Sequence, residues 1–324
     1  MTTELSSPKT IDDGQVKPPS LSGGSEPVTS STPGSVPRSE SLPNDTSMDL
    51  KPLLQIWKGV YEDIQTRGTT PKYPIGLKTI DDVIWGLHKR ELLTLGARTS
   101  HGKSALALNM AAALADRGQR VVYFSLEMSK EQLVERLLAN FCHIDNRWLR
   151  HGLAKSQVEG TKDTFEGLIE GLKLLIDDQY GYSFESVVKI CDIVRPDFVF
   201  LDYIQMVSSK GFRSKLDAIE EYVRKFKQLS NEMNFGAILV SQINRDGEGK
   251  MTMANLKGAG VLEEHSDTVI LLQWDWNANE YEVRVDKQRH GEVKTVHIGF
   301  QPEFFKFSDL QVAGNGRRYG EKDL

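Results

Sequence analysis

The 324-residue chain has only two cysteines, no clustering among its seven histidines and no long apolar run. Cys142 and Cys191 lie far apart, each among apolar neighbours, with no C-x-x-C spacing. That excludes a disulfide scaffold and a thiolate metal site, and predicts two buried thiols in a reducing compartment. No stretch approaches the roughly 20 apolar residues of a membrane helix, and the mean hydropathy is −0.39. The N-terminus, MTTELSSPKT, has no basic region followed by an apolar one, so no secretory leader is expected. The expectation is a soluble, cytoplasmic protein with no membrane partner. Positive charge is also lacking: the net charge is −5, so composition gives no sign of nucleic acid. The imbalance falls mostly in residues 1–50, with seven acids against three bases, while residues 51–324 carry 38 against 37. Any nucleic-acid surface must therefore be local. Residues 1–50 contain no aromatic side chain but seven of the twelve prolines and many Ser and Thr. Such a segment cannot bury enough apolar surface to offset its chain entropy, which predicts a disordered tail over 1–48.

Order is expected from Asp49, a helix cap, with Pro52 in the first turn. Leu53, Trp57, Tyr61 and Ile64 then form one apolar stripe, and Gly68 to Pro71 end the helix. The stripe suits packing on its own domain or on a neighbouring subunit. From about residue 75, short apolar runs alternate with amphipathic ones. ELLTLG, VVYFSL, LKLLID, FVFLDY and AILVSQ read as strands. Lys103 to Asp116, EQLVERLLANF, SFESVVKICDIV and the stretch from Leu216 to Met233 read as helices. In the last of these Leu216, Ile219, Val223, Phe226, Leu229 and Met233 form the core face and Gly236 is the stop. The pattern predicts an α/β fold whose central sheet is mostly parallel, with helices on both faces. After Asp267 the strands TVILLQW, YEVRVDK, KTVHIGF and FFKFS follow closely and predict an antiparallel C-terminal extension.

Residues 96–104 read GARTSHGKS, a glycine-rich stretch of the phosphate-loop kind ending in Gly-Lys-Ser and lying between a strand and a helix. Gly96, Ala97, Arg98, Thr99, Ser100, His101 and Gly102 form the candidate cradle. There backbone N–H groups and a helix N-terminus suit phosphate oxygens. Lys103 would reach the β and γ phosphates and the Ser104 hydroxyl would hold Mg²⁺. Ligands bind at the carboxyl ends of parallel strands, so the residues ending the other strands are the next candidates. Asp202 is a carboxylate for the Mg²⁺ side. Glu127 is a general base for the attacking water. Gln242 is a sensor of the γ-phosphate. Lys287 and Arg289, two apart on a strand, face one way. They are either a solvated strand face or an arginine-finger unit.

Six stretches occur in the order found in one family: KSALALNMA, FSLEMS, FLDYIQMV, LVSQINR, LKGAGVLEEHSD and DKQRHG. YPIGLKTIDDVIWGLHKREL precedes them. Over residues 72–309 the chain resembles the RecA-like motor domain of DnaB-type replicative helicases. The resemblance implies an ATP- and Mg²⁺-dependent hexameric ring that moves 5′→3′ on single-stranded DNA. It implies that Lys287 and Arg289 act across a subunit interface and that the helix over 49–70 is a linker docking on its neighbour. The motor would span 71–310, followed by a flexible tail over 311–324. Two loops would line the channel, one with Lys210 and Arg213, the other with Arg245, Lys250 and Lys257. The family's N-terminal domain has no counterpart here, which puts primase contact in doubt; a helicase loader or primase remains a possible partner. Departures such as EEHSD suggest a divergent, phage-type member, in a bacterium or a virus-infected cell. The competing expectations are a RecA/RadA- or KaiC-like ATPase that does not unwind, and an ATP-binding assembly protein. KQRHG and LKGAGVLEEHSD favour the helicase over the first, and Glu127 with the finger pair argues against the second.

Overall fold

The computed structural model describes residues 51–66, 72–179, 183–243, 251–256, 258–275, 280–312 and 318–319. The chain divides into two units, over residues 1–64 and 65–324. In chain order the helices are α1 (Leu53–Thr66), α2 (Lys78–Ile84), α3 (Lys103–Asp116), α4 (Lys130–Cys142), α5 (Asn146–Arg150), α6 (Lys155–Glu170), α7 (Phe184–Val194), α8 (Lys215–Met233) and α9 (Ala259–His265). The main strands are β1 (Leu92–Ala97), β2 (Val121–Ser125), β3 (Leu174–Asp177), β4 (Phe198–Asp202), β5 (Gly236–Gln242), β6 (Thr268–Asp275), β7 (Glu280–Gln288), β8 (Lys294–Gln301) and β9 (Lys306–Asp309).

The nine strands form one sheet in the order β3-β2-β4-β5-β1-β6-β7-β8-β9. The first six run parallel and the last three add antiparallel, as the sequence pattern predicts. The central strands are mostly apolar because both faces are covered. Alternation sorts their side chains. Leu93, Leu95, Tyr123, Phe198 and Phe200 enter the core beneath α3 and α4, while Leu92, Val122, Phe124, Val199 and Leu201 enter the core beneath α7 and α8. Local signals fix several helix ends. Ser129 and Gln132 close a capping box on α4, and Ser183 and Ser214 cap α7 and α8.

Some expectations are corrected. α1 begins at Leu53, and the Pro52 carbonyl accepts the Gln55 and Ile56 amides, so Pro52 precedes the first turn; Asp49 and residues 67–71 lie outside the described residues. Leu216 is exposed rather than in the core face of α8. Asn234, in the left-handed conformation, ends that helix, while Gly236 opens β5. A Cβ on Gly236 would stand 2.5 Å from the Phe198 ring. Helix α6 has no counterpart in the sequence reading. Of the two thiols, Cys191 is buried and pushed up to about 12 by that burial, while Cys142 is half-buried. No described helix is long and apolar enough to cross a membrane.

Candidate nucleotide site

The parallel sheet brings the predicted residues to one rim. β1 runs into the glycine-rich stretch, and α3 starts at Lys103 after Gly102, whose φ of 74° is a left-handed conformation that suits glycine. A Cβ there would also lie 2.9 Å from the Tyr281 hydroxyl. Gly96 has a different part from the one expected. It lies inside β1, where a Cβ would stand 2.6 Å from Leu256 and 2.9 Å from Leu271. Gly96 thus admits two core leucines, and the exposed cradle begins after Ala97. His101 Nδ1 lies 3.0 Å from the Thr99 carbonyl and shapes the turn.

Lys103 and Ser104 are buried at the helix start. The Lys103 ammonium lies 3.5 Å from Glu127 Oε2 and 4.8 Å from the Tyr203 ring centroid. Glu127 is two residues beyond β2, with its side chain half exposed. Asp202 ends β4, buried. Tyr123, on the neighbouring strand, donates to its Oδ2 at 2.7 Å. Burial raises the Asp202 pKa above the usual carboxylate range, against the Tyr123 hydrogen bond, the Lys103 charge and the nearby Ser104 hydroxyl. Burial and Asp202 together hold the Tyr123 phenol well above its ordinary value. Among the described residues Asp202 Oδ1 is buried with no hydrogen-bond partner, an acceptor near the Ser104 hydroxyl that fits a divalent cation. From the end of β5, Gln242 Nε2 donates to Thr99 Oγ1 at 2.8 Å. Gln205 fixes this arrangement, accepting the Gln242 amide at 3.1 Å and donating to Ser241 at 2.9 Å.

A cavity of about 550 Å³ opens over Lys103 and Ser104. Its far wall was not anticipated: Arg136, Arg150, Tyr281, Phe300 and Phe305 line it. The Arg136 guanidinium lies 4.5 Å from the Phe305 ring centroid, and burial lowers its pKa. A signal existed in EQLVERLLANF, because Arg136 falls three residues after buried Leu133, on the inward face of α4.

The finger pair is elsewhere. Lys287 is on β7 and Arg289 just beyond its end, not on the strand as expected. The Arg289 amide donates to the Asp267 carbonyl, and the Asp267 amide to Leu92 at the start of β1. Both cations therefore sit at the edge of the sheet opposite the cradle. Five residues of β1 separate the two edges, about 17 Å at ~3.3 Å per residue. Burial, then the nearby Arg289 charge, lowers the Lys287 pKa. Lys210 and Arg213 are exposed between β4 and α8. Arg245, Lys250 and Lys257 lie outside the described residues.

A glycine-rich loop after β1, an acid just after β2, another at the end of β4 and an amide at the end of β5 mark a RecA-like ATPase fold. Comparison with known proteins narrows the class. Residues 73–309 match the DnaB-like helicase C terminal domain, and the chain belongs to that family. It is 31% identical over 248 residues to a probable plasmid replicative DNA helicase of Chlamydia trachomatis, covering 74% of this chain and 55% of the relative. It is 31% identical over 240 residues to the replicative DNA helicase DnaB of Treponema pallidum, covering 72% and 55%. The chain thus spans about half the length of the curated relatives it matches. Two solved structures are similar, each at 26% identity over 81% of this chain. One is an isolated ATPase domain, with a TM-score of 0.75 and all of that chain covered. The other is a DnaB-like replicative helicase described with its interactions with primase, with a TM-score of 0.72 and 68% of that chain covered.

Proposed function

We propose that the chain is the motor of a replicative DNA helicase, hydrolysing ATP and moving 5′→3′ on single-stranded DNA as a hexameric ring. The observation that carries this reading is the division of the site. Lys103, Ser104 and Glu127 line the cavity and Asp202 and Gln242 end β4 and β5 on the same rim, whereas Lys287 and Arg289 stand at the opposite edge of the sheet, beyond reach of their own cradle. A second copy completes the site by presenting its cations to this cavity.

In that assembly Lys103 binds the β and γ phosphates, and the amides of Arg98 to Gly102 hold the phosphate oxygens. Ser104 and the unpartnered oxygen of Asp202 would hold Mg²⁺. The ion, when bound, offsets negative charge on the phosphates. Glu127 orients the attacking water and accepts its proton as the β–γ P–O bond breaks. The neighbour's Lys287 and Arg289 stabilise charge on the transferred phosphoryl group, an effect worth about 10³–10⁵ in rate for such fingers. Gln242 reads the γ-phosphate and signals through Thr99, to which it is hydrogen-bonded.

Lys210 and Arg213 from one loop, and Arg245, Lys250 and Lys257 from the other, contact DNA phosphates. Six copies of a few cations make a basic channel from a chain without net positive charge. Residues 49–70 act as a linker helix seated on the next subunit through the apolar stripe of α1. They join a tail over 1–48 to a motor over 71–310, with a second tail over 311–324. A loader or primase is the partner class for the assembled ring, and the cytoplasm of a bacterium or infected cell is its place.

Strand displacement on forked DNA with ATP tests the reading. Unwinding of a fork with a 5′ tail, and not of one with only a 3′ tail, is expected. ATP hydrolysis without displacement on either fork would instead support a RecA/RadA- or KaiC-like ATPase. Mixing Arg289→Ala with Lys103→Ala subunits should restore part of the turnover, and no recovery in mixed rings would count against cations supplied in trans.

A further inference from the structure

The segment between β5 and α9 is anchored where it returns to the fold. Ile243 and Leu256 form an isolated antiparallel bridge across its base, and Leu256 covers Gly96. Beyond that bridge, two side chains of β7 grip the returning chain. Asp286 Oδ2 accepts the Met253 amide at 2.8 Å. Arg284 donates to the Met251 carbonyl at 3.2 Å and pairs with Asp286 Oδ1. A bulge sets this up: Lys287 pairs with Val269 and Val285 with Ile270, leaving Asp286 as the extra residue. Such a bulge re-aims the side chain it displaces. The grip stands immediately before Lys287 and Arg289 on the same strand. Those two cations are themselves tied to the same segment further on. Lys287 donates to the Glu263 carbonyl, and Arg289 to the Glu264 carbonyl at 3.1 Å. Both carbonyls are in the last turn of α9, which begins directly after residue 258.

We propose that Arg284 and Asp286 are positioning residues that couple the second channel loop to the Lys287–Arg289 pair, so that DNA held by that loop sets the cations offered to the neighbouring ATP site. This rests on the reading of that loop as DNA-contacting and of the pair as acting in trans. Neither Arg284 nor Asp286 touches the nucleotide cavity. Their loss therefore removes the response to DNA and leaves the hydrolytic machinery in place.

The test is steady-state ATP hydrolysis by the full chain with and without a dT oligonucleotide, alongside binding of a labelled dT oligonucleotide. Arg284→Met keeps the aliphatic bulk of a partly exposed side chain and is the variant least exposed to misfolding; Asp286→Ala is the second. Each is expected to lower the DNA-stimulated kcat about fivefold or more, the lower range of a coupling free energy. DNA-free kcat, KM for ATP and oligonucleotide affinity should stay within about twofold. Arg284→Lys should retain stimulation, because an ammonium still pairs with Asp286. The double variant should be no worse than either single one, as expected for residues acting as one unit. Full stimulation in both single variants overturns the coupling alone, and so does a parallel fall in DNA-free turnover. Absence of DNA binding or stimulation in the unmodified chain overturns the coupling together with the functional reading beneath it.

Discussion

At neutral pH Asp81 is a buried carboxylate beside the segment that leads into the motor. It accepts the Ile75 amide at 2.9 Å and the Gly76 amide at 3.2 Å. Burial nevertheless dominates, with Asp309 adding repulsion, and raises its pKa from 3.8 to about 6. Between those values the folded chain holds a proton that the unfolded chain has released. Stability from this group is therefore fully present below pH 3.8 and is lost as pH rises through about 6. Asp81→Asn removes the titration and keeps the shape. Any constant cost of the amide, which offers one acceptor to two N–H groups, cancels when the same pair of proteins is compared at two pH values. At pH 5 the group is one unit below its folded value, so the natural chain should be favoured over Asp81→Asn by about 1.4 kcal/mol more than at pH 7.5. Urea unfolding of both proteins at the two pH values measures this difference of differences. A difference that is the same at both pH values, or that grows with pH, would refute the assignment of a raised pKa to Asp81.

Tyr123→Phe should lower ATP turnover about tenfold, because a lost hydrogen bond to a buried charge costs about 1–3 kcal/mol. The fold should survive through the stack of this ring on Phe200, 5.7 Å between centroids; unchanged turnover would count against Asp202 as a site residue. Gly96→Ala should destabilise by about 1–3 kcal/mol in thermal or urea unfolding, since the new methyl overpacks Leu256 and Leu271. Lys103→Ala should abolish hydrolysis, and undiminished turnover would reject the site. Chelation of divalent cations should stop turnover and be reversed by added Mg²⁺, with ATPase rate as the readout. DNA affinity should fall steeply with added salt, as contacts to phosphate require, and an affinity independent of salt would sink the cationic-loop reading.

Much of the fold was legible because parallel strands buried on both faces must be short apolar runs, and β1, β2, β4 and β5 are such runs. Helix α6 was not, because Phe165 is its one buried residue and Gly160 and Gly167 interrupt its pattern. The cradle and the acids that follow strands were readable for a topological reason. Parallel strands deliver their carboxyl ends to one rim, so strand order need not be known to group Lys103, Glu127, Asp202 and Gln242. Arg136 and Phe305 were not readable as neighbours, because residues 169 positions apart meet only once α4 and the C-terminal extension pack together.

The sequence by itself determined an α/β core with a phosphate loop, the residues on its rim and a resemblance spread over several spaced motifs. It determined these because periodicity and strand-end position are local properties of the chain. Tertiary structure alone decided three further matters. It put Gly96 beneath two leucines, set Lys287 and Arg289 toward the sheet edge opposite the cradle of their own chain, and brought Arg284 and Asp286 onto Met251 and Met253. The first two depend on the order of strands across the sheet and the last on one bulge in β7, neither of which a local pattern encodes.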